Sequence, residues 1–188
     1  MQDYQNQLSN KTVIQIHDKH FVPFITAQQI DAVIERLARE VEKDLKDEIP
    51  VFIGVLNGSF MVVSDFVKKY SHACEVSFVK LSSYEGTTST NSVKQLIGLN
   101  KSLEGRSVVV IEDIVDTGNT VAELKKIFEG HNLKHLKIAT LFFKPEAYKQ
   151  DITLDYIGFE IPDKFIVGYG LDYDEQGRNL PEVYQLKE

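Results

Sequence analysis

The 188-residue chain holds a single cysteine, Cys74, which excludes a disulfide framework and fits a reducing cytoplasm. It lacks a basic excess: the formal charge is -7, whereas a nucleic-acid groove would carry surplus Lys and Arg. No apolar run approaches a membrane span, and residues 1–10 are polar, with no apolar signal core. Neither nucleic acid nor membrane is therefore expected as a partner. The five histidines show no metal-ligand spacing; His131 and His135 are four apart, but Gly130 and Asn132 argue against a continuous helix there. Repeats, low-complexity tracts and long linkers are absent too, so the reading is one domain over 1–188. With 43% hydrophobic and 26% charged residues, the composition is that of an ordinary globular protein.

What is present alternates between two periods. Thr26 with Gln29 has capping-box spacing, and Ile30, Val33, Ile34, Leu37, Ala38, Val41 and Leu45 recur on one helical face until Pro50. VFIGVL at 51–56 is a short continuous apolar run, suited to a strand buried on both faces. The spacing then predicts a helix over 60–70, strands over 76–81 and 107–112, a helix over 120–128 and a strand over 136–143. This rhythm predicts an α/β fold with a mainly parallel twisted sheet flanked by helices. From Asp155 the character changes to short apolar pieces (YIGF, FIVGY) among Pro, Gly and Asp. That tail reads as a small hood, which the alternating 13–16 stretch could join. The expected division is a core of about 24–154 and a hood of about 11–22 and 155–188.

In an open parallel sheet, ligands bind beyond the carboxyl ends of the strands. Three such ends carry polar groups: Asn57-Gly58-Ser59, the run from Glu112 to Thr120, and Lys144-Pro145. The middle one is the most informative. Glu112, Asp113 and Asp116 precede a Thr117-Gly118-Asn119-Thr120 turn into a helix. The turn glycine and the helix start make a phosphate cradle. The carboxylates would repel phosphate, so they need sugar hydroxyls or a divalent cation. A sugar phosphate satisfies both halves.

VVVIEDIVDTGNT at 108–120 resembles the signature of the type I phosphoribosyltransferases, which bind phosphoribosyl diphosphate. Four further segments resemble the hypoxanthine–guanine branch of that family. They are Leu56-Asn57-Gly58-Ser59 (diphosphate loop), Ser83-Tyr84 with 85–92 (mobile lid), Phe143-Lys144-Pro145, and GFEIPDKFIVGYGLDYDEQGRN at 158–179 (purine-binding flap). They occur in the family's order.

The resemblance implies a type I phosphoribosyltransferase fold, purine base and phosphoribosyl diphosphate as substrates, Mg2+ as cofactor, and a homodimer or homotetramer in the cytoplasm. It also implies residue roles. Glu112 and Asp113 would hold ribose hydroxyls, directly or through Mg2+. Residues 116–120 would cradle the 5′-phosphate, with Asp116 also the general base. Lys144 would donate to a 6-oxo group, Phe165 would stack on the purine, and Ile166 would offer backbone bonds. Asp172 would bind a second Mg2+, and Arg178 would meet the diphosphate. Relatives form the diphosphate loop with a non-proline cis peptide, so Leu56–Asn57 is expected to be cis or strained. Asn57 departs from the lysine of many relatives, which leaves that loop to its backbone amides. Two other classes remain open on the residues alone: a transferase for another base, and a regulatory protein that senses phosphoribosyl diphosphate.

Overall fold

Thr26 and Gln29 cap each other as the spacing predicts. The Gln29 amide donates to Thr26 Oγ1 at 3.2 Å, and the Thr26 amide to Gln29 Oε1 at 2.9 Å. A computed structural model describes residues 13–82, 94–97 and 102–187. Helix α1 (Ala27–Leu45) follows this capping box and buries Ile30, Ile34, Leu37, Ala38, Val41 and Leu45.

Strands β3 (Val51–Leu56), β4 (Glu75–Ser82), β6 (Ser107–Val115), β7 (His135–Phe143) and β8 (Tyr156–Glu160) pair in parallel, and β5 (Lys94–Ile97) adds an antiparallel edge. The sheet order is β5-β4-β3-β6-β7-β8. Because side chains alternate across a strand, β3 and β6 feed two cores. Phe52, Val109 and Ile111 join α1 and α2 (Phe60–Lys69), where the Phe52 ring meets Phe66 at 5.1 Å and Tyr70 at 4.9 Å. Val51, Ile53, Val55, Val108 and Val110 join Leu124 and Phe128 of α3 (Asn119–Glu129) on the opposite face. Truncating the fully buried Phe52 to alanine should cost about 3–5 kcal/mol.

A second, antiparallel sheet has the order β1-β2-β10-β9, from β1 (Ile14–Ile16), β2 (Lys19–Ile25), β9 (Ile166–Val167) and β10 (Val183–Leu186). The N-terminal segment thus joins the C-terminal one, and Ile16, Phe21 and Val167 form its core. Pro23 within β2 obscures this strand in the sequence. Proline cannot donate to a ladder. Pro23 lies opposite Tyr184, beside a register shift, and beyond the stretch that β1 covers.

Two boundaries need correction. Tyr156–Glu160, read from sequence as part of the hood, extends the main sheet beside β7. Gly158 permits the close approach, since a Cβ there would stand 2.4 Å from the Leu141 carbonyl oxygen. The strand predicted to stop at residue 112 continues to Val115, because Ile114 and Val115 keep pairing with Phe142 and Phe143.

Candidate active site

The carboxyl ends of β3 and β6 and the start of α3 enclose a cleft of about 710 Å³, lined among others by Asn57, Gly58, Glu112, Asp113, Asn119 and Thr120. At the end of β3 the Leu56–Asn57 peptide is cis, as expected. Ser59 donates its amide to Val55 O at 3.3 Å and Phe60 to Asn57 O at 3.5 Å. Among the described residues no acceptor meets the amides of Asn57 or Gly58. Ser59 is fully buried, and its hydroxyl has no partner among the described residues. Gly58 lies directly on the Asp113 carboxylate: a Cβ at Gly58 would stand 1.6 Å from Asp113 Oδ2.

Glu112 and Asp113 are both buried, although each carries a carboxyl group. Burial, with Asp113 beside it, pushes the Glu112 carboxyl well above the ordinary range. Among the described residues its Oε1 meets no hydrogen-bond partner. Burial likewise pushes Asp113 up to about 6, despite backbone hydrogen bonds and the Arg178 guanidinium, which act the other way. An orphaned buried carboxylate oxygen calls for a cation or a hydroxyl donor. Among the described residues no three His, Cys, Asp or Glu side chains could hold a metal by themselves. That arrangement fits Mg2+, which binds through one or two carboxylates plus substrate oxygens.

Beyond β6, Gly118 takes the left-handed conformation (φ 82°) and α3 begins without a side-chain cap. A Cβ at Gly118 would meet the Tyr148 ring at 2.4 Å, so only glycine fits this turn. Exposed Asn119 and Thr120 stand at the uncapped start, facing the cleft. First-turn amides of a helix lack intrahelical acceptors and favour an anion.

The third strand end brings together residues distant in sequence. Lys144, only 7% exposed, extends its Nζ to Asp116 Oδ2 at 3.2 Å and to Asp163 Oδ1 at 3.0 Å. Phe165 is not a core residue: its ring is 44% exposed, and it leans on Tyr173 at 5.8 Å and Phe21 at 6.2 Å. The Leu186 amide donates to Phe165 O, and β9 is an edge strand. Antiparallel alternation therefore turns the N–H and C=O of Ile166 to the open edge. Asp172 pairs with Arg178 at 2.7 Å and accepts from the Glu175 amide at 2.8 Å. Arg178 Nη1 donates to Gly170 O at 2.9 Å.

A family model described as the phosphoribosyl transferase domain matches residues 25–174. The chain belongs to the phosphoribosyltransferase family. Within it, similarity runs to the hypoxanthine-guanine branch. The hypoxanthine-guanine phosphoribosyltransferase of Bacillus subtilis is 41% identical over 164 residues, 87% of this chain and 91% of that protein. That of Streptococcus pyogenes is 42% identical over 155 residues, 82% and 86% of the two chains. Among solved structures, a hypoxanthine-guanine phosphoribosyltransferase from Bacillus anthracis superposes with a TM-score of 0.81 at 39% identity, covering 88% of this chain and 96% of that one. A hypoxanthine phosphoribosyltransferase from Staphylococcus aureus gives 0.82 at 38% identity, covering 88% and 90%.

The phosphoribosyltransferase fold thus gathers Leu56, Asn57, Gly58, Glu112, Asp113, Asn119 and Thr120 around one cleft, and Lys144 beside Asp116. Asp113, expected just past a strand ending at Glu112, sits within β6 with it. Ser83 and Tyr84 lie outside the described residues. Sequence reading gave Asp163 no role of its own. Its one signal is its position two residues before Phe165, in a segment already matched to the purine-binding flap.

Proposed function

We propose that this phosphoribosyltransferase carries out purine salvage. It transfers the 5-phosphoribosyl group from phosphoribosyl diphosphate to hypoxanthine, and to guanine, releasing diphosphate. One observation carries this reading: a single cleft holds the Leu56–Gly58 loop, the buried Glu112–Asp113 pair and the uncapped start of α3. That set matches, in order, a diphosphate, ribose hydroxyls and a 5′-phosphate.

In this reading, N9 of the purine attacks the anomeric carbon, and the carbon–oxygen bond to diphosphate breaks with its electron pair. The imidazole proton of the base passes to the Asp116 carboxylate. Glu112 and Asp113 hold the ribose hydroxyls, and residues Asp116, Thr117, Gly118, Asn119 and Thr120 hold the 5′-phosphate. Lys144 donates to the 6-oxo group, Phe165 stacks on the ring, and Ile166 bonds the base edge through its backbone. Arg178 neutralises the departing diphosphate. Mg2+, held by Glu112, Asp113 or Asp172 together with substrate oxygens, would stabilise charge developing on that leaving group. Ser83 and Tyr84 belong to a lid that keeps water from an oxocarbenium-like centre. The enzyme works in the cytoplasm as a homodimer or homotetramer, a point native mass spectrometry checks.

The test is a panel of hypoxanthine, guanine, xanthine and adenine with phosphoribosyl diphosphate and Mg2+, with the nucleotides separated by chromatography. Formation of the hypoxanthine nucleotide is expected, with none in EDTA. No nucleotide from any 6-oxopurine would overturn the reading.

A further inference from the structure

The hood reaches the diphosphate loop through three successive residues in left-handed backbone. Gly168, Tyr169 and Gly170 have φ values of 101°, 49° and 99°. The two glycines have no room for a side chain: a Cβ at Gly168 would stand 2.0 Å from Glu182 O, and one at Gly170 2.1 Å from Gly58 O. Tyr169 between them carries its Cβ in a strained region, which persists only where the surroundings over-determine it.

Its side chain supplies the constraint. The ring is 5% exposed, and Oη donates to Asp65 Oδ2, 104 residues away on α2. That helix starts at Phe60, directly after the diphosphate loop. Asp65 is itself held by Lys68 at 2.5 Å. On the hood side, the Gly170 amide donates to Arg178 O at 3.0 Å, while Arg178 returns a bond to Gly170 O and pairs with Asp172. Gly170 rests on Gly58, and Gly58 on Asp113. Burial and the adjacent Asp65 raise the Tyr169 phenol, so it stays a neutral donor. Burial raises Asp65, but its bonds to Lys68 and Tyr169 prevail and hold it below the usual range, a charged acceptor.

We infer that Tyr169 and Asp65 form a latch of positioning residues: it fixes the Asp172–Arg178 segment over the diphosphate loop and so sets affinity for the diphosphate end of the donor, without touching it. A tyrosine present only for packing would need neither the left-handed backbone nor a buried hydroxyl aimed at a carboxylate; phenylalanine would fill the same space. The inference rests on the functional reading above, which makes that loop the diphosphate site.

Calorimetric titration with inorganic diphosphate and Mg2+ tests it without turnover. Tyr169→Phe and Asp65→Ala should each weaken binding about tenfold, the scale of one hydrogen bond to a charged group. Asp65→Asn should recover most of it, since its side-chain oxygen still accepts from Oη. The double variant Tyr169→Phe/Asp65→Ala should be no weaker than the singles, because both remove one interaction. KM for hypoxanthine should stay near the wild-type value throughout. Unchanged diphosphate binding in Tyr169→Phe would overturn the latch. So would Asn at position 65 performing no better than Ala, or diphosphate and base affinities falling together with the melting temperature. A wild-type protein that binds diphosphate yet converts no 6-oxopurine would sink the functional reading and leave the latch standing.

Discussion

Lys144 donates from Nζ to Asp116 Oδ2 across 3.2 Å, so the side chain assigned to recognise the base and the one assigned to take its proton neutralise each other. A purine that draws Lys144 towards its 6-oxo group thereby frees the Asp116 carboxylate for the imidazole proton. Asp116→Asn should keep donor binding but lower turnover about 10²–10⁴-fold, the range for removing a general base. Single-turnover kinetics with a separate donor titration checks this. Near-normal turnover would remove Asp116 from the mechanism.

Phe165 offers a second test. Its ring leans on Tyr173 and Phe21, yet the residue remains 44% exposed and so accessible to a ligand. Stacking on a base contributes roughly 1–3 kcal/mol by alanine substitution. Phe165→Ala should therefore raise KM for hypoxanthine about ten- to a hundredfold, with KM for the donor and the melting temperature nearly unchanged. Equal damage to both substrates with a fall in melting temperature would show the ring to be structural.

The two residues just discussed differ in how far the sequence exposes them. Helix α1 is legible because its capping box and apolar face are local, and VFIGVL reads as a buried strand because no polar residue interrupts it. The apolar run of β6 gives way to carboxylates at Glu112, so Asp113 reads as lying past the strand; the pairing of Ile114 and Val115 with β7 carries the strand on through it. Pro23 hides β2 by lacking a ladder donor, and a register shift opposite it accommodates the loss. Contacts between distant segments leave no local period at all. Asp163 on Lys144 and Tyr169 on Asp65 are of that kind, and each depends on how the hood folds back on the core.

Gly58 shows such a contact at closer range. Alanine there would place its Cβ on the Asp113 carboxylate, a side-chain rather than a backbone obstacle. Gly58→Ala should thus cost little stability while displacing Asp113 from its place in the cleft. The expected result is a donor KM raised by at least about tenfold, the scale of one charge-assisted contact, with the melting temperature shifted by only a few degrees. Unaltered donor KM would show that the position of Asp113 is not needed.

The raised Asp113 carboxyl makes stability depend on pH in a definite direction. Its pKa is about 6 in the folded protein, against about 3.9 for an ordinary aspartate. The folded state thus holds the proton more tightly, and this contribution is fully present below the unfolded pKa and lost as pH rises through about 6. In EDTA, denaturant unfolding should show this group's share falling by roughly 2 kcal/mol between pH 4 and pH 7. Asp113→Asn, which cannot ionise, should flatten that part of the profile. Identical slopes in the two proteins would show that burial does not disfavour the Asp113 charge.

On the proposed reading, discrimination between purines rests on the same ammonium with which Asp116 pairs. Lys144 is nearly buried, and a lysine ammonium can only donate. Hypoxanthine and guanine present an acceptor at position 6, whereas adenine presents an amino group, so two donors would meet. A site built around such a bond can reject the wrong partner by about 10⁴–10⁵-fold. Asp163, 3.0 Å from Nζ, holds the ammonium from the hood side as Asp116 does from β6. Lys144→Met should collapse the hypoxanthine-to-adenine ratio of kcat/KM, chiefly through lost hypoxanthine activity. Asp163→Asn should lower the ratio less, because Asp116 still anchors the ammonium. Competition assays with the three proteins measure both effects. A wild-type preference for hypoxanthine within about tenfold of adenine, only ~1.4 kcal/mol, would show that Lys144 does not read position 6.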